Sequence, residues 1–384
     1  MREVVIAGVG IHKFGRYEDK SLEQMGQEAV LLALKDSNNM DWNDVQLAFC
    51  GTMFGGTAAG HRILSRVGLT GIPIINLETA CASGGTAIML GAQAISAGYY
   101  DVIMVLGVEK MPRGFMAMTS YPEWQMLSGL ALNPVHMGLT DYRAMVDRGV
   151  TSEHLAKISV KSHKNGALNP YAMYQKEVTM EEVLNSKMVC YPLRLLMLCA
   201  PNEGAAAVVL CSKDVAKKYT DQPITVASAC IRVGQYGTNY GMVGTGFMCD
   251  SAKIVNPEVT TLTAKEAYEK AGIGPEDLDV VELQDTDAGM EINAYEELML
   301  CKPGESIRFV EEGITEIGGD LPVNTSGGLL SKGEPVGASG LGQIVEMVWQ
   351  LRGKAGPRQV PDAKVGMCEV NGAGGNCAVT ILKR

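Results

Sequence analysis

The ten cysteines of this chain include no C-x-x-C pair, its histidines stop at His163, and no apolar run reaches the ~18 residues a membrane span needs. The first absence disfavours a structural zinc site within the chain. The second leaves the second half without an imidazole for acid–base work. The third removes a spanning helix from consideration. No stripe of basic residues appears either, and a net charge of −10 argues against a nucleic-acid partner. The start, MREVVIAGVG, runs directly into a strand-like stretch with no secretory or transit pattern. Scattered cysteines and 22 methionines fit a reduced, cytoplasmic setting.

What is present describes a globular enzyme-sized chain. At 384 residues it exceeds one average domain, and a prior of one domain per ~150 residues gives two or three. Apolar content of 46% with 20% charged residues is ordinary for a soluble protein. Val4–Val9 and Val45–Cys50 read as strands, and Ser21–Asp36 as a helix with Ser21 and Gln24 at capping-box spacing. The first ~110 residues alternate strand and helix, which predicts an α/β layer with a mostly parallel sheet. Met111–Pro201 is Met-rich and polar, an insertion with helices over Leu139–Asp147 and Ser152–Lys164. Gly204–Cys211 returns to strand. Strands at Ile224–Ile231, Val280–Leu283, Lys364–Val370 and Cys377–Leu382 follow, with helices at Thr263–Ala271 and Leu341–Arg352. Ser-Gly-Gly entering a small-residue helix occurs at Ser83 and again at Ser326, a weak internal duplication. The expected boundaries are 1–112 for the first part of an N-terminal half, 113–201 for the insertion, 202–222 for the end of that half, and 223–384 for the C-terminal half.

The stretch with most chemical content is Asn76–Gly85, NLETACASGG. It places Cys81 between an extended run and an Ala-rich helix, Thr86–Gly98. A thiol there meets the free N–H groups and dipole of a helix start, which favour a thiolate and suit an oxyanion. The small residues around it would let a substrate approach the backbone. Taken alone, such a cysteine also reads as a buried structural thiol at a tight junction.

With its neighbours, the chain resembles the thiolase superfamily, within it the sterol-carrier-protein-thiolase-like group. The resemblance rests on NLETACASGG, HMGLTDYRAMVDRGVTSEHLAKIS (His136–Ser159), APNEGAAAVVL (Ala200–Leu210), KEAYEKAGIGPEDLDVVEL (Lys265–Leu283), NTSGGLLSKGEPVGASG (Asn324–Gly340) and NGAGGN (Asn371–Asn376), in that order. It implies an α/β thiolase fold, a five-layered αβαβα arrangement of two β-α-β-α-β-α-β-β halves with an inserted loop domain. It also implies a homodimer or dimer of dimers. The activity implied is Claisen cleavage or formation of a β-oxoacyl-CoA, with Cys81 as acyl acceptor and coenzyme A as co-substrate. The resemblance further implies an oxyanion hole from the N–H groups of Cys81 and Gly372, and a pantetheine pocket lined by His136 and Met137, with Ser331 a further coenzyme A contact. Members of this group often work with a small OB-fold and zinc-ribbon companion, which this chain lacks and a separate subunit would supply.

Three positions depart from the family pattern. Its G-H-P turn is here Gly333-Glu334-Pro335, its Asn-Glu-Ala-Phe or His-Asp-x-Phe is Gln284-Asp285-Thr286, and its second cysteine is replaced by Val370-Asn371 with Cys368 two residues earlier. An ionised Glu334 beside Cys81 would oppose thiolate formation, whereas a protonated one would donate to an enolate oxygen. Glu334 is therefore expected as the acid/base, with Gln284 its partner at the enolate oxygen; the other reading is a vestigial Glu334. The unusual turn suggests a non-standard substrate, benzoylsuccinyl-CoA among the possibilities. Two alternatives stand beside thiolysis: a retro-aldol lyase acting on a CoA ester, and a non-catalytic acyl-CoA-binding subunit. Trp124 and Tyr171–Tyr174 read as packing of the insertion.

Overall fold

The computed structural model describes residues 2–114, 123–130, 132–235 and 258–384. In chain order the first half contains β1 (Val4–Gly15), α1 (Leu22–Asp36), β2 (Leu47–Gly51), α2 (Ala59–Leu64), β3 (Ile74–Leu77), α3 (Ser83–Ser96) and β4 (Val102–Lys110). The region that follows holds α4 (Glu123–Ser128), α5 (Asn133–Arg148), α6 (Ser152–Ala167), α7 (Met180–Asn185) and the short strands β5 (Met188–Cys190) and β6 (Leu193–Arg194). Then come β7 (Glu203–Ser212), α8 (Lys213–Ala216), β8 (Ile224–Val233), α9 (Val259–Ala271), β9 (Val280–Glu282), α10 (Ala288–Glu297) and α11 (Ser306–Glu311). A π-turn at Gly328–Lys332, α12 (Val336–Leu351), β10 (Val365–Gly372) and β11 (Asn376–Lys383) complete the described chain.

Local sequence accounts for much of this. The Ser21 hydroxyl accepts the Gln24 N–H while the Gln24 side chain accepts the Ser21 N–H, so the expected capping box starts α1. Its apolar face, including Met25, Ala29 and Ala33, is fully buried against the sheet.

The strands lie in the order β3-β2-β4-β7-β1-β8-β11-β10-β9. The first five belong to residues 4–212 and the last four to residues 224–383, and the two groups meet where Val5 pairs with Thr225 and Ile6 with Ile224. Parallel pairing joins β2 to β3, β2 to β4 and β9 to β10. The other ladders are antiparallel. The expectation of a mostly parallel sheet is thus corrected. β7 inserts between β4 and β1, and β11 folds straight back on β10, and each reverses the strand direction. The second half repeats the first with one contraction: the counterpart of β3 is a single bridge between Val281 and Val323.

Helices α3 and α12 pack against each other and against strands of both halves, filling the space between the two groups. Of the residues of α12, Trp349 alone is not buried. α1 and α2 cover the outer face of the first group, and α9 that of the second. The result is helix, sheet, helix, sheet, helix, as the five-layer expectation has it. α12 begins at Val336, five residues before the expected start. Trp124 is exposed, whereas Tyr171 packs on Trp349 and Tyr174 stacks on His163. Among the described residues no helix is long and apolar enough to cross a membrane.

Candidate active site

Cys81 sits in the turn between β3 and α3, two residues ahead of the helix. Its predecessor Ala80 has φ of 50°, a left-handed conformation that costs a non-glycine residue roughly 1–2 kcal/mol. Ser83 holds the turn: its hydroxyl accepts the Thr79 N–H at 2.9 Å and donates to the Ala80 carbonyl at 2.6 Å. A strained, pinned turn presents one side chain in one direction.

That direction leads to Glu334. The Cys81 thiol donates to Glu334 Oε1 at 3.3 Å, and Gln284 Nε2 donates to the same oxygen at 3.2 Å. The second oxygen, Oε2, accepts from the Cys199 thiol at 2.9 Å. Glu334 and Gln284 are buried, and Gln284 Oε1 has no hydrogen-bond partner among the described residues. The position of Glu334 follows from backbone pairing. Its N–H donates to the Ala200 carbonyl at 3.0 Å, and the Asn202 N–H donates to its own carbonyl at 3.4 Å. The preceding π-turn hangs on the Asp285 carboxylate, which accepts from Leu329 N–H at 2.6 Å and Leu330 N–H at 3.4 Å. Gln284 is fixed by donating its backbone N–H to Glu369 Oε2 at 3.1 Å.

Burial pushes the Cys81 thiol well above its usual range, and the Glu334 carboxylate beside it pushes further the same way. Cys199 behaves alike, for the same two causes. Burial also raises Glu334, against the hydrogen bonds from Cys199, Cys81 and Gln284, which favour its charged form. The protons rest on the thiols, and the site's negative charge, when present, lies on Glu334. This corrects the expectation of a thiolate favoured by the start of α3: burial and the facing carboxylate favour the thiol.

One further expectation changes, that of the small residues around Cys81. A backbone hydrogen bond from Ala373 to the Cys81 sulfur favours its charged form. Gly372 serves by closeness: a Cβ there would lie 2.3 Å from the Thr79 carbonyl oxygen, so only glycine lets β10 approach the nucleophile turn. Gly84 and Gly85 do not open the backbone to substrate. A Cβ on Gly84 would stand 2.9 Å from the Leu341 nitrogen, and one on Gly85 2.6 Å from Ala378 Cβ. They are spent on seating α3 against α12 and β11.

A cavity of ≈ 40 Å³ opens beside Glu334, lined by Pro134, Met137, Leu198, Cys199 and Pro201. Met137 thus reaches the site from α5. His136, its neighbour, is half-buried, and burial holds its imidazole below the ordinary value. Ser331 is fully buried, its hydroxyl donating to the Tyr174 carbonyl at 2.9 Å, so it ties the π-turn to the insertion and presents no surface to a ligand. Val370 packs on Cys81 in place of a second thiol, and Cys368 lies in the core between the layers. Behind the cavity Asp141 of α5 meets Asp287, the cap of α10. Burial and the Asp287 charge raise Asp141 well above the carboxylate range, and burial raises Asp287 to about 6. Among the described residues no group of three or more His, Cys, Asp or Glu could hold a metal ion.

The sequence missed Cys199 and Ala373. Cys199 stands immediately before the block APNEG, which is the one signal that would have drawn attention to it.

Residues 4–214 match the family model "Thiolase, N-terminal domain" and residues 248–384 the model "Thiolase C-terminal domain-like". The chain belongs to the thiolase family. With it, the chain is a thiolase-type acyltransferase. This thiolase is 39% identical over 395 residues to an acetyl-CoA acetyltransferase of Methanothermobacter thermautotrophicus, spanning 100% of both chains. It is 38% identical over 380 residues to the benzoylsuccinyl-CoA thiolase subunit BbsB of Thauera aromatica, covering 97% of this chain and 95% of that one. Among solved structures it superposes on the Ltp2-ChsH2(DUF35) aldolase with a TM-score of 0.87 at 25% identity, over 99% of this chain and 97% of that chain.

Proposed function

We propose that this thiolase cleaves or forms a β-oxoacyl-CoA through an acyl-enzyme on Cys81, with Glu334 as the acid/base. The carrying observation is the 3.3 Å hydrogen bond from the Cys81 thiol to Glu334 Oε1. A high-pKa thiol reacts only if a base removes its proton as the sulfur attacks, and Glu334 is already in place to do so. Taking that proton neutralises the carboxylate, which removes the charge that opposed the thiolate. The protonated Glu334, with the Gln284 amide beside it, then donates to the enolate oxygen of the leaving acyl-CoA. The Ala373 N–H beside the sulfur stabilises the oxyanion formed at the attacked carbonyl. Coenzyme A takes the acyl group from Cys81 in the second half-reaction, its pantetheine arm passing Met137 and His136.

For the substrate we favour a non-standard β-oxoacyl-CoA, an aromatic one such as benzoylsuccinyl-CoA included. The relative named for that substrate supports it, as does a carboxylate in place of the usual imidazole. A dimer, or dimer of dimers, with a small OB-fold and zinc-ribbon companion is the assembly we propose, in the cytoplasm. The test is intact-mass spectrometry after incubation with a panel of acyl-CoA thioesters. An adduct present in the wild type and absent in Cys81→Ala supports acyl transfer and identifies the acyl group. No adduct with any thioester, companion included, rejects it.

The likeness to the Ltp2-ChsH2(DUF35) aldolase favours a second reading, retro-aldol cleavage of a CoA ester. That reaction yields an aldehyde or ketone without consuming coenzyme A, so product analysis separates the two.

A further inference from the structure

We propose that Cys199 is the second catalytic thiol of this enzyme, the acid that protonates the leaving carbon, standing on the opposite oxygen of Glu334 from Cys81. The inference rests on the acyl-enzyme reading above and adds a residue to it. Claisen cleavage needs two proton transfers at different atoms: one off the nucleophile, one onto the α-carbon of the departing acyl-CoA. Val370 occupies the position from which a second cysteine would be expected, and it is apolar and packed against Cys81. The described site nevertheless contains a second thiol, placed there by the pairing of Ala200–Asn202 with Glu334.

Four observations converge on it. Cys199 donates to Glu334 Oε2 at 2.9 Å while Cys81 donates to Oε1 at 3.3 Å, so one carboxyl group connects the two sulfurs. Cys199 lines the ≈ 40 Å³ cavity together with Glu334, whereas Cys81 does not line it. Beside them the buried Gln284 Oε1 lacks a partner among the described residues, as expected of a group that meets a ligand. Cys199 is also the less buried of the two cysteines.

The steps balance. As the Cys81 sulfur bonds to the β-carbonyl carbon, its proton moves to Glu334. The carbon–carbon bond breaks and its electron pair remains on the departing fragment as an enolate. The Cys199 thiol gives its proton to the α-carbon, and Glu334 passes the proton taken from Cys81 to the Cys199 thiolate. In the second half the coenzyme A sulfur attacks the acyl group, its proton moves to Glu334, and the Cys81 thiolate leaves and recovers that proton. Each group ends as it began.

The test compares the wild type with Cys199→Ala and Cys199→Ser in two measurements using acetyl-CoA. One is mass-adduct formation on Cys81, which also reports a folded site. The other is exchange of the acetyl methyl protons in deuterium oxide, which reports the carbon acid step. The expected result is adduct formation within a few-fold of wild type in both variants. Exchange is expected to fall ~10²-fold or more in Cys199→Ala, as for loss of a positioned acid, and less in Cys199→Ser. Exchange retained within a few-fold in Cys199→Ala overturns the proposal. So does parallel loss of adduct and exchange, which would make Cys199 a support for the site as a whole. If the wild type forms no adduct on Cys81 with acetyl-CoA or with any other thioester of the panel, the acyl-enzyme reading itself fails, and this inference with it.

Discussion

Glu334 Oε1 lies 3.3 Å from the Cys81 sulfur, so a carboxyl of the second half touches a thiol of the first across the junction of the two halves. Glu334→Gln keeps the size of the side chain and removes proton uptake. Acylation of Cys81 is expected to slow ~10²–10⁴-fold, the usual contribution of a positioned general base, read as the rate of adduct formation. An unchanged rate would show that Glu334 takes no proton.

The pH dependence follows from the same contact. Glu334 works as a base only when ionised, and burial raises its pKa. Activity should therefore be lost as pH falls, with the acid limb of kcat/KM above the ordinary carboxylate range. A limb at the value of an exposed glutamate would place the base elsewhere.

Stability should fall as pH rises. Burial pushes Glu369 up to about 8 and Asp287 up to about 6. Both folded values lie above the unfolded ones, so between those limits the native state holds protons that the unfolded chain has released. The neutral forms cost nothing below the unfolded pKa; the penalty grows as pH climbs toward the folded value. Thermal melts between about pH 5 and 8 should show Tm declining, by the equivalent of a few kcal/mol at most per group. Glu369→Gln, which can still accept the Gln284 N–H, should flatten the slope.

Asp141 and Asp287 offer a cleaner version of the same test. Asp141→Asn cannot ionise and still donates a hydrogen bond to Asp287, so it should match or exceed wild-type Tm above about pH 6. Asp141→Ala leaves Asp287 facing a void and should cost about 1–3 kcal/mol. Equal behaviour of the two variants across pH would mean the carboxyls are not coupled.

Gly85→Ala places a methyl group where Ala378 Cβ stands at 2.6 Å. The expected cost is ~1–3 kcal/mol, with slower acylation because α3 carries the Cys81 turn. A normal Tm would show that α3 and β11 can separate freely.

How much of this was legible depended on how local each feature is. Cys81 declared itself because strand, turn and helix are consecutive, and Glu334 because the Gly-Glu-Pro turn keeps its family flanks. Cys199 did not, since its partner lies 135 residues away and the contact comes from backbone pairing, which leaves no mark on side-chain pattern. Strand direction was misjudged for a related reason: local periodicity identifies a strand but not its neighbour. Gly84, Gly85 and the first turn of α12 were misread because small residues look alike whether they expose backbone to a ligand or let two helices touch.

The sandwiched pair α3 and α12 carries Cys81 at the entrance of one helix and Glu334 at the entrance of the other. The spacing of the two groups is thereby set in the buried layer between the sheets, while Met137 and Cys199 reach it from the insertion. The insertion therefore contributes to the chemistry as well as to the pocket wall, because its Ala200 carbonyl also accepts the Glu334 N–H and holds that side chain in place. Grafting the insertion from a relative should change the acylation rate together with the acyl group that is accepted.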